Sequence, residues 1–360
     1  MTSSAFEAPD LDQPDCDVGL ALSGGGYRAM LFHLGALMRL NEARWLPRLD
    51  RIASVSGGSI TAACLGLAWK DLTFEDDIAI DFDEHVTRHV MDLAGHSIDV
   101  WAVLTGLRPG RISRRVQAAY DKHLFHGATL QDLPKEGEGP RFVILATNLT
   151  NGTLWRMSQP YMRDWRSDEI PEPRLPLAHA VGASSAFPPI LSPCELELPD
   201  RTIYLTDGGV FDNLGVEPIL KRCRTCLFSD GGGTFSEPEK PPTGFLTGTI
   251  RVLHTVDVEV RRLRRRQVMD ALTSGQRTGG FWAINTDPAR FPKPAASLPC
   301  PSAETLKLSR VPTRLAKLPV RRRQALVNWG YAATDFALRS YVDVDLPEPA
   351  GFPFEGGVSA

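Results

Sequence analysis

The sequence predicts an α/β fold built on parallel strands, and three observations carry that expectation. Strand-like and helix-like segments alternate through the first part of the chain, and the strands run straight into glycines. The composition, 42% hydrophobic and 23% charged over 360 residues, is that of an ordinary globular protein. Strand, helix, strand, helix within about 55 residues is a βαβ unit, whose crossover makes the two strands parallel.

The elements follow in order. Residues 17–23 (DVGLALS) read as a short buried strand ending on Gly24-Gly25-Gly26. From Tyr27 to about Asn41 the pattern is apolar almost all round, as in a helix buried on most faces. Residues 51–55 form a second strand, running through Ser56-Gly57-Gly58 into another apolar helix that ends near Lys70. Residues 71–135 are more polar and mostly helical. Residues 141–147 and 153–158 flank Asn-Leu-Thr-Asn-Gly and read as a hairpin. Residues 177–187 read as a helix stopped by Pro188-Pro189. Residues 203–206 and 225–229 are strands running into Asp207-Gly208-Gly209 and Asp230-Gly231-Gly232-Gly233. Residues 287–301 are a proline-rich surface loop, and 320–341 a final helix.

Composition excludes several classes. With 40 Lys+Arg against 43 Asp+Glu the net charge is −3, which argues against a nucleic-acid binder. The acidic N-terminus lacks the basic start and apolar stretch of a signal peptide. The longest apolar runs, 29–38 and 60–69, fall well short of the roughly 20 residues that cross a bilayer. Membrane contact is therefore expected to be peripheral, and the location cytoplasmic. Six cysteines are too sparse for a disulfide scaffold, and the Cys223/Cys226 pair lacks a second pair at zinc-ribbon spacing, so reduced thiols are expected. The sequons at Asn148 and Asn151 read as turn chemistry.

Three strand ends carry the chemistry. Consecutive glycines opening a helix at Ser23-Gly24-Gly25-Gly26-Tyr27-Arg28 aim backbone N–H groups at one point, suited to a phosphate or an oxyanion. Ser54-Val55-Ser56-Gly57-Gly58 is close to the G-x-S-x-G turn that lifts a serine out of a sheet, with Ser54 standing in for the first glycine. Asp207-Gly208-Gly209 delivers a carboxylate that can serve such a serine as base. Asp212 and Asp230 are chemically similar, and residue type alone does not choose among the three.

Two rival readings use the same residues. Gly24-x-Gly26-x-x-Ala29 matches the dinucleotide fingerprint, but the second strand ends in Ser54-Val55-Ser56 where that fold wants an acid. A Ser-His-Asp hydrolase wants a late histidine, and the last one is His254, in a strand-like Val-Leu-His-Thr-Val that suggests a core or sheet-face role. His33 reads as packing within its helix, and His179 as a pocket or cap residue.

Taken together, Ser-Gly-Gly-Gly-Tyr-Arg at 23–28, Ser56 in its turn and Asp207-Gly-Gly resemble the patatin-like phospholipases, as do the stretches 177–189 and 211–218. The resemblance covers roughly residues 17–285. It implies a three-layer α/β/α sandwich with a central, mostly parallel sheet and a serine–aspartate dyad without histidine. Ser56 would be the nucleophile and Asp207 the base. The oxyanion hole would draw on Gly24, Gly25, Gly26 and Gly57, with Gly24 making the turn. Arg28 would meet a substrate phosphate or brace the loop.

No metal or other cofactor is implied. The expected reaction is hydrolysis of an acyl ester in a membrane phospholipid or other acyl lipid, of phospholipase A or lysophospholipase type. The partners are then a lipid substrate and a transient membrane surface. Ser54 and Ala29 depart from the usual family glycines. A catalytically silent, ligand-binding member is the alternative. The expected organisation is an N-terminal tail at 1–16, a catalytic domain at 17–285, and a loop with a helical extension at 286–360. A run of arginines at 261, 262, 264, 265 and 266 reads as a solvated helix face, with docking on anionic headgroups as the competing reading; Arg321–Arg323 reads the same way.

Overall fold

The computed structural model describes residues 14–98, 111–188, 191, 193–234 and 244–360. Twelve strands are formed: β1 Cys16–Leu22, β2 Arg51–Val55, β3 Phe74–Glu75, β4 Ile78–Ala79, β5 Arg141–Asn148, β6 Thr153–Met157, β7 Tyr161–Arg163, β8 Ile170–Pro171, β9 Cys194–Glu197, β10 Thr202–Asp207, β11 Cys223–Asp230 and β12 Thr278–Ala283. Ten of them make one mixed sheet in the order β12-β11-β1-β2-β5-β6-β7-β8, with β10 also on β5 and β9 outside it. The neighbours from β12 to β5 are all parallel, and the remaining pairs are antiparallel. Strands β3 and β4 form a separate small hairpin.

Alternation along the central strands divides their side chains between two cores. Leu20, Leu22, Ile52, Phe142 and Ile144 face one side, under α1 (Gly26–Glu42), α2 (Gly57–Ala68) and the Val320–Ala337 helix. Ala21, Ala53, Val55, Val143 and Leu145 face the other, under residues 214–220 and the inner edge of the Phe245–Thr273 helix at Val268 and Ala271. The architecture is thus the expected three-layer α/β/α sandwich. Burial on both faces explains why β1 and β2 read as nearly continuous apolar runs rather than as alternating ones. The α1 and Val320–Ala337 helices meet backbone to backbone: a Cβ on Gly35 would stand 1.9 Å from Val327 O, and one on Gly330 1.8 Å from Phe32 O.

Two sequence expectations are corrected, and one strand takes a direction the sequence left open. Cys16 and Cys223 form a disulfide, with Cα atoms 4.5 Å apart, so they are not reduced thiols. They are register partners on adjacent parallel strands, a relation their separation of 207 residues hides. Cys226, the other half of the Cys-x-x-Cys, stays a buried free thiol. His254 lies in the Phe245–Thr273 helix rather than in a strand, because the Arg-, Leu- and Gln-rich residues after it propagate a helix through the β-branched stretch. Strand β10 runs antiparallel to β5 instead of joining the parallel set. The two sequons do serve as turn chemistry: Asn148 and Asn151 accept from Thr150 N and Thr153 N and donate to Asp164. Among the described residues no helix is long and apolar enough to cross a membrane.

Candidate active site

The site arises where two strands meet end to end along a third. Strand β2 runs beside the first half of β5, its last pair being Val55 with Leu145. Strand β10 approaches from the opposite direction beside the second half of β5, its last pair being Asp207 with Ala146. Leu145 and Ala146 are neighbours, so the carboxyl ends of β2 and β10 abut. Ser56 and Asp207 are the residues at those two tips.

Ser56 occupies φ 51°, ψ −118°, a conformation that a non-glycine residue holds only under constraint. The constraint is crowding. A Cβ on Gly57 would lie 2.2 Å from Gly26 O, and one on Gly58 2.4 Å from Leu22 O, so the chain folds back tightly enough to admit glycine alone at both places. The Ser56 N–H donates to Ser184 Oγ at 3.0 Å, and Ser184 Oγ donates to Leu145 O at 2.6 Å. Ser59 Oγ joins Ser184 Oγ at 2.9 Å and Ser54 Oγ at 3.1 Å. The serine that replaces the usual glycine at 54 is therefore accommodated by a chain of buried hydroxyls behind the turn. Ser184 is a site residue that pattern reading missed; its only signal was the Ser-Ser pair closing the 177–187 helix.

Asp207 is only 2% exposed. Its N–H donates to Ala186 O, its carbonyl accepts from Thr147 Oγ1, and its Oδ1 accepts from Gly209 N at 2.7 Å. The Ser56 side chain acts on the carboxylate in the direction that lowers its pKa. Burial pushes the Asp207 pKa up to about 7, assisted by the negative charge of Asp257; the bond from Gly209 and the Ser56 side chain oppose the rise without cancelling it. A carboxylate with that pKa is matched to proton abstraction near neutrality.

The other two candidate acids are otherwise engaged. Asp212 spends its carboxylate on the N–H groups of Leu214, Val216 and Glu217, capping the Glu217–Leu220 helix. Asp230 accepts from Ser23 Oγ, Gly232 N and Arg265, and its pKa is lowered despite burial, mainly by Arg265 and Arg261.

The glycine loop stands directly against the serine. A Cβ on Gly24 would lie 3.1 Å from Ser56 Cβ. Gly25 and Gly26 adopt φ 146° and 59°, values open to glycine. Among the described residues no acceptor takes the N–H groups of Gly25, Gly26 or Gly57. The Gly24 N–H, in contrast, is committed to Asn213 O at 3.0 Å. Of the four glycines expected at an oxyanion hole, three have a free donor and Gly24 does not.

Arg28 is buried and turns away from the serine, donating through Nε to Gly231 O at 3.0 Å and through Nη1 to Val311 O. Burial, with Arg261 nearby, lowers its pKa to about 10. The histidines stand apart from the dyad. His33 is clamped between Ser229 Oγ and Ser23 O, with its pKa lowered by burial to about 4. His179 contacts Cys194 Sγ. His254 meets the Phe187 ring edge-on at 6.3 Å. The arginine run is divided: Arg261, Arg264 and Arg265 turn inward to Asp257, Asp212 and Asp230, whereas Arg262 and Arg266 are exposed. One group among the described residues, Asp92, His96 and His123, could hold a metal ion, and it shares no residue with the Ser56 site.

The chain as a whole resembles known proteins. A family profile described as patatin-like phospholipase matches residues 20–220. Among solved structures, VipD from Legionella pneumophila is 14% identical, the match covering 91% of this chain and 67% of that one at a TM-score of 0.42. Human GIVD cytosolic phospholipase A2 is 17% identical over 48% of this chain and 28% of its own, at 0.34. ExoU from Pseudomonas aeruginosa, solved in complex with SpcU, is 13% identical over 89% and 71%, at 0.27. No curated protein sequence matches the chain.

Proposed function

The chain belongs to the patatin-like phospholipase family, and from that premise we propose that it is a lipid acyl hydrolase with Ser56 as nucleophile and Asp207 as general base. One observation carries the reading: a serine at a constrained strand-to-helix turn, brought by abutting strand ends to a buried carboxylate that its side chain acts on and whose pKa stands at about 7.

In the proposed reaction Asp207 takes the Ser56 proton as Oγ attacks the acyl carbonyl. The N–H groups of Gly25, Gly26 and Gly57 receive the negative charge that develops on the carbonyl oxygen. The alcohol leaves with the proton from Asp207. Water, deprotonated by the same carboxylate, then releases the fatty acid and restores Ser56. Every step is carried by this chain's own groups. Gly24 holds the loop through Asn213, and Arg28 braces it through Gly231 and Val311.

The proposed substrate is an acyl ester of a membrane phospholipid or related lipid, reached by transient contact with a membrane. The test is fatty-acid release from phosphatidylcholine vesicles, followed by mass spectrometry. The wild-type protein is expected to release fatty acid and Ser56→Ala to release none; release by Ser56→Ala at the wild-type rate would end the reading.

A further inference from the structure

Among its described side chains, the Phe245–Thr273 helix buries apolar groups only near its C-terminal end, at Val268 and Ala271. Its face toward the body carries ionic groups: Arg261 pairs with Asp257 on the same helix, Arg264 reaches Asp212 at 3.9 Å, and Arg265 holds Asp230 at 2.6 Å. Its outer face carries aliphatic side chains in solvent: Val252 is 61% exposed, Leu253 47%, Val256 55% and Leu263 60%. Val252, Val256 and Leu263 are spaced i, i+4, i+11, within one narrow stripe, and Leu253 lies beside it. A helix covering a water-soluble body normally does the reverse. Asp257, on the inward side of this helix, also bears on Asp207, whose pKa its negative charge helps to raise.

Resting on the reading of the chain as a lipid hydrolase, we infer that the outer stripe of this helix is the surface that seats the protein on an anionic lipid bilayer. Two features select lipid as the occupant. The exposed Arg262 and Arg266 lie along one edge of the stripe; Arg262 is paired with Glu259, and Arg266 has no ion-pair partner among the described residues, so that edge offers a cation to acidic headgroups. Four aliphatic side chains on one helix also present far less than the roughly 800 Å² per partner of a standard protein interface, while an amphipathic helix lying in a bilayer surface needs only a stripe of this kind. Seating this face places lipid against the helix that carries Asp257, whose charge acts on Asp207.

Co-sedimentation with phosphatidylcholine vesicles, with and without phosphatidylserine, tests the inference. All proteins carry Ser56→Ala, so that hydrolysis plays no part and failure of the catalytic reading stays separate from failure of the docking one. The parent is expected to sediment with phosphatidylserine-containing vesicles. Replacing Val252, Leu253, Val256 and Leu263 together by serine should weaken binding at least about tenfold while leaving the melting temperature unchanged. A second variant, Arg262→Gln with Arg266→Gln, should lose the added affinity for phosphatidylserine and keep the binding to neutral vesicles. Equal sedimentation of parent and four-serine variant would overturn the inference. So would a parent that is dimeric by analytical ultracentrifugation and becomes monomeric in the four-serine variant, because the stripe would then be covered by a second copy.

Discussion

Two strand ends of this protein carry the same signature, a buried aspartate followed by glycines, and they hold opposite electrostatics. Asp207 ends β10 with no cation among the groups that shift it, its Oδ1 taking the Gly209 N–H and the charge of Asp257 adding to burial, and its pKa rises to about 7. Asp230 ends β11 beside Arg265 and Arg261, and its pKa falls although it is no less buried. Burial is common to both, so the arriving cation decides the outcome. One aspartate anchors the long helix through its pair with Arg265. The other is left able to take and give a proton.

The largest expected effects fall on the Asp207 side. Ser56→Ala or Asp207→Asn should lower hydrolysis of a p-nitrophenyl ester by about 10⁴-fold or more, measured as kcat/KM. Asp230→Asn, tested in parallel, should act through stability and leave much of the turnover of the folded fraction. Equal losses at both aspartates would erase the contrast.

Next in size is the pH dependence. Because the base must be ionised, kcat/KM should fall about tenfold per pH unit below about 7. A profile flat down to pH 5 would break the assignment.

Stability should respond with opposite signs. The folded pKa of Asp207 stands above its ordinary value of 3.8, so the folded chain binds that proton more tightly than the unfolded chain does. The resulting stabilisation is full below about pH 4 and is lost as pH rises through about 7. Asp207→Asn should therefore raise the unfolding free energy at pH 8 by up to about 4 kcal/mol, with a higher melting temperature, and change it little at pH 4. Asp230, with its lowered pKa, stabilises the fold above the unfolded carboxylate range and loses that contribution as pH falls through its folded value. Arg265→Gln should cost roughly 2–3 kcal/mol by urea denaturation at pH 7; its side chain is 29% exposed and Arg261 remains nearby, which holds the loss below that of a fully buried pair.

The smallest effect is expected at Ser184. Its replacement by alanine leaves the Ser56 N–H without its acceptor and breaks the hydroxyl chain to Ser59, at a cost of about 1 kcal/mol and roughly tenfold in rate.

The glycine loop, the Ser56 turn and the parallel core were legible in the chain because each is written locally. Glycines crowd where backbone must pass backbone, and apolar runs mark strands buried on both faces. What the chain did not disclose is relational. Nothing within residues 203–206 tells that this strand runs antiparallel and meets β2 tip to tip, which is what brings Asp207 rather than Asp212 or Asp230 to the Ser56 turn. The Cys16–Cys223 link joins register partners that only the finished sheet aligns. The arginine run at 261–266 was visible, but its division into inward anchors and outward cations depends on where Asp212 and Asp230 come to rest.

The measurement that tests the dyad most directly is labelling with a fluorophosphonate probe across pH, with the modified peptide located by mass spectrometry. The adduct is predicted on Ser56, forming at a rate that declines below about pH 7 and failing to form in Asp207→Asn. An adduct on any other residue, or wild-type labelling of Ser56 in Asp207→Asn, would contradict the account.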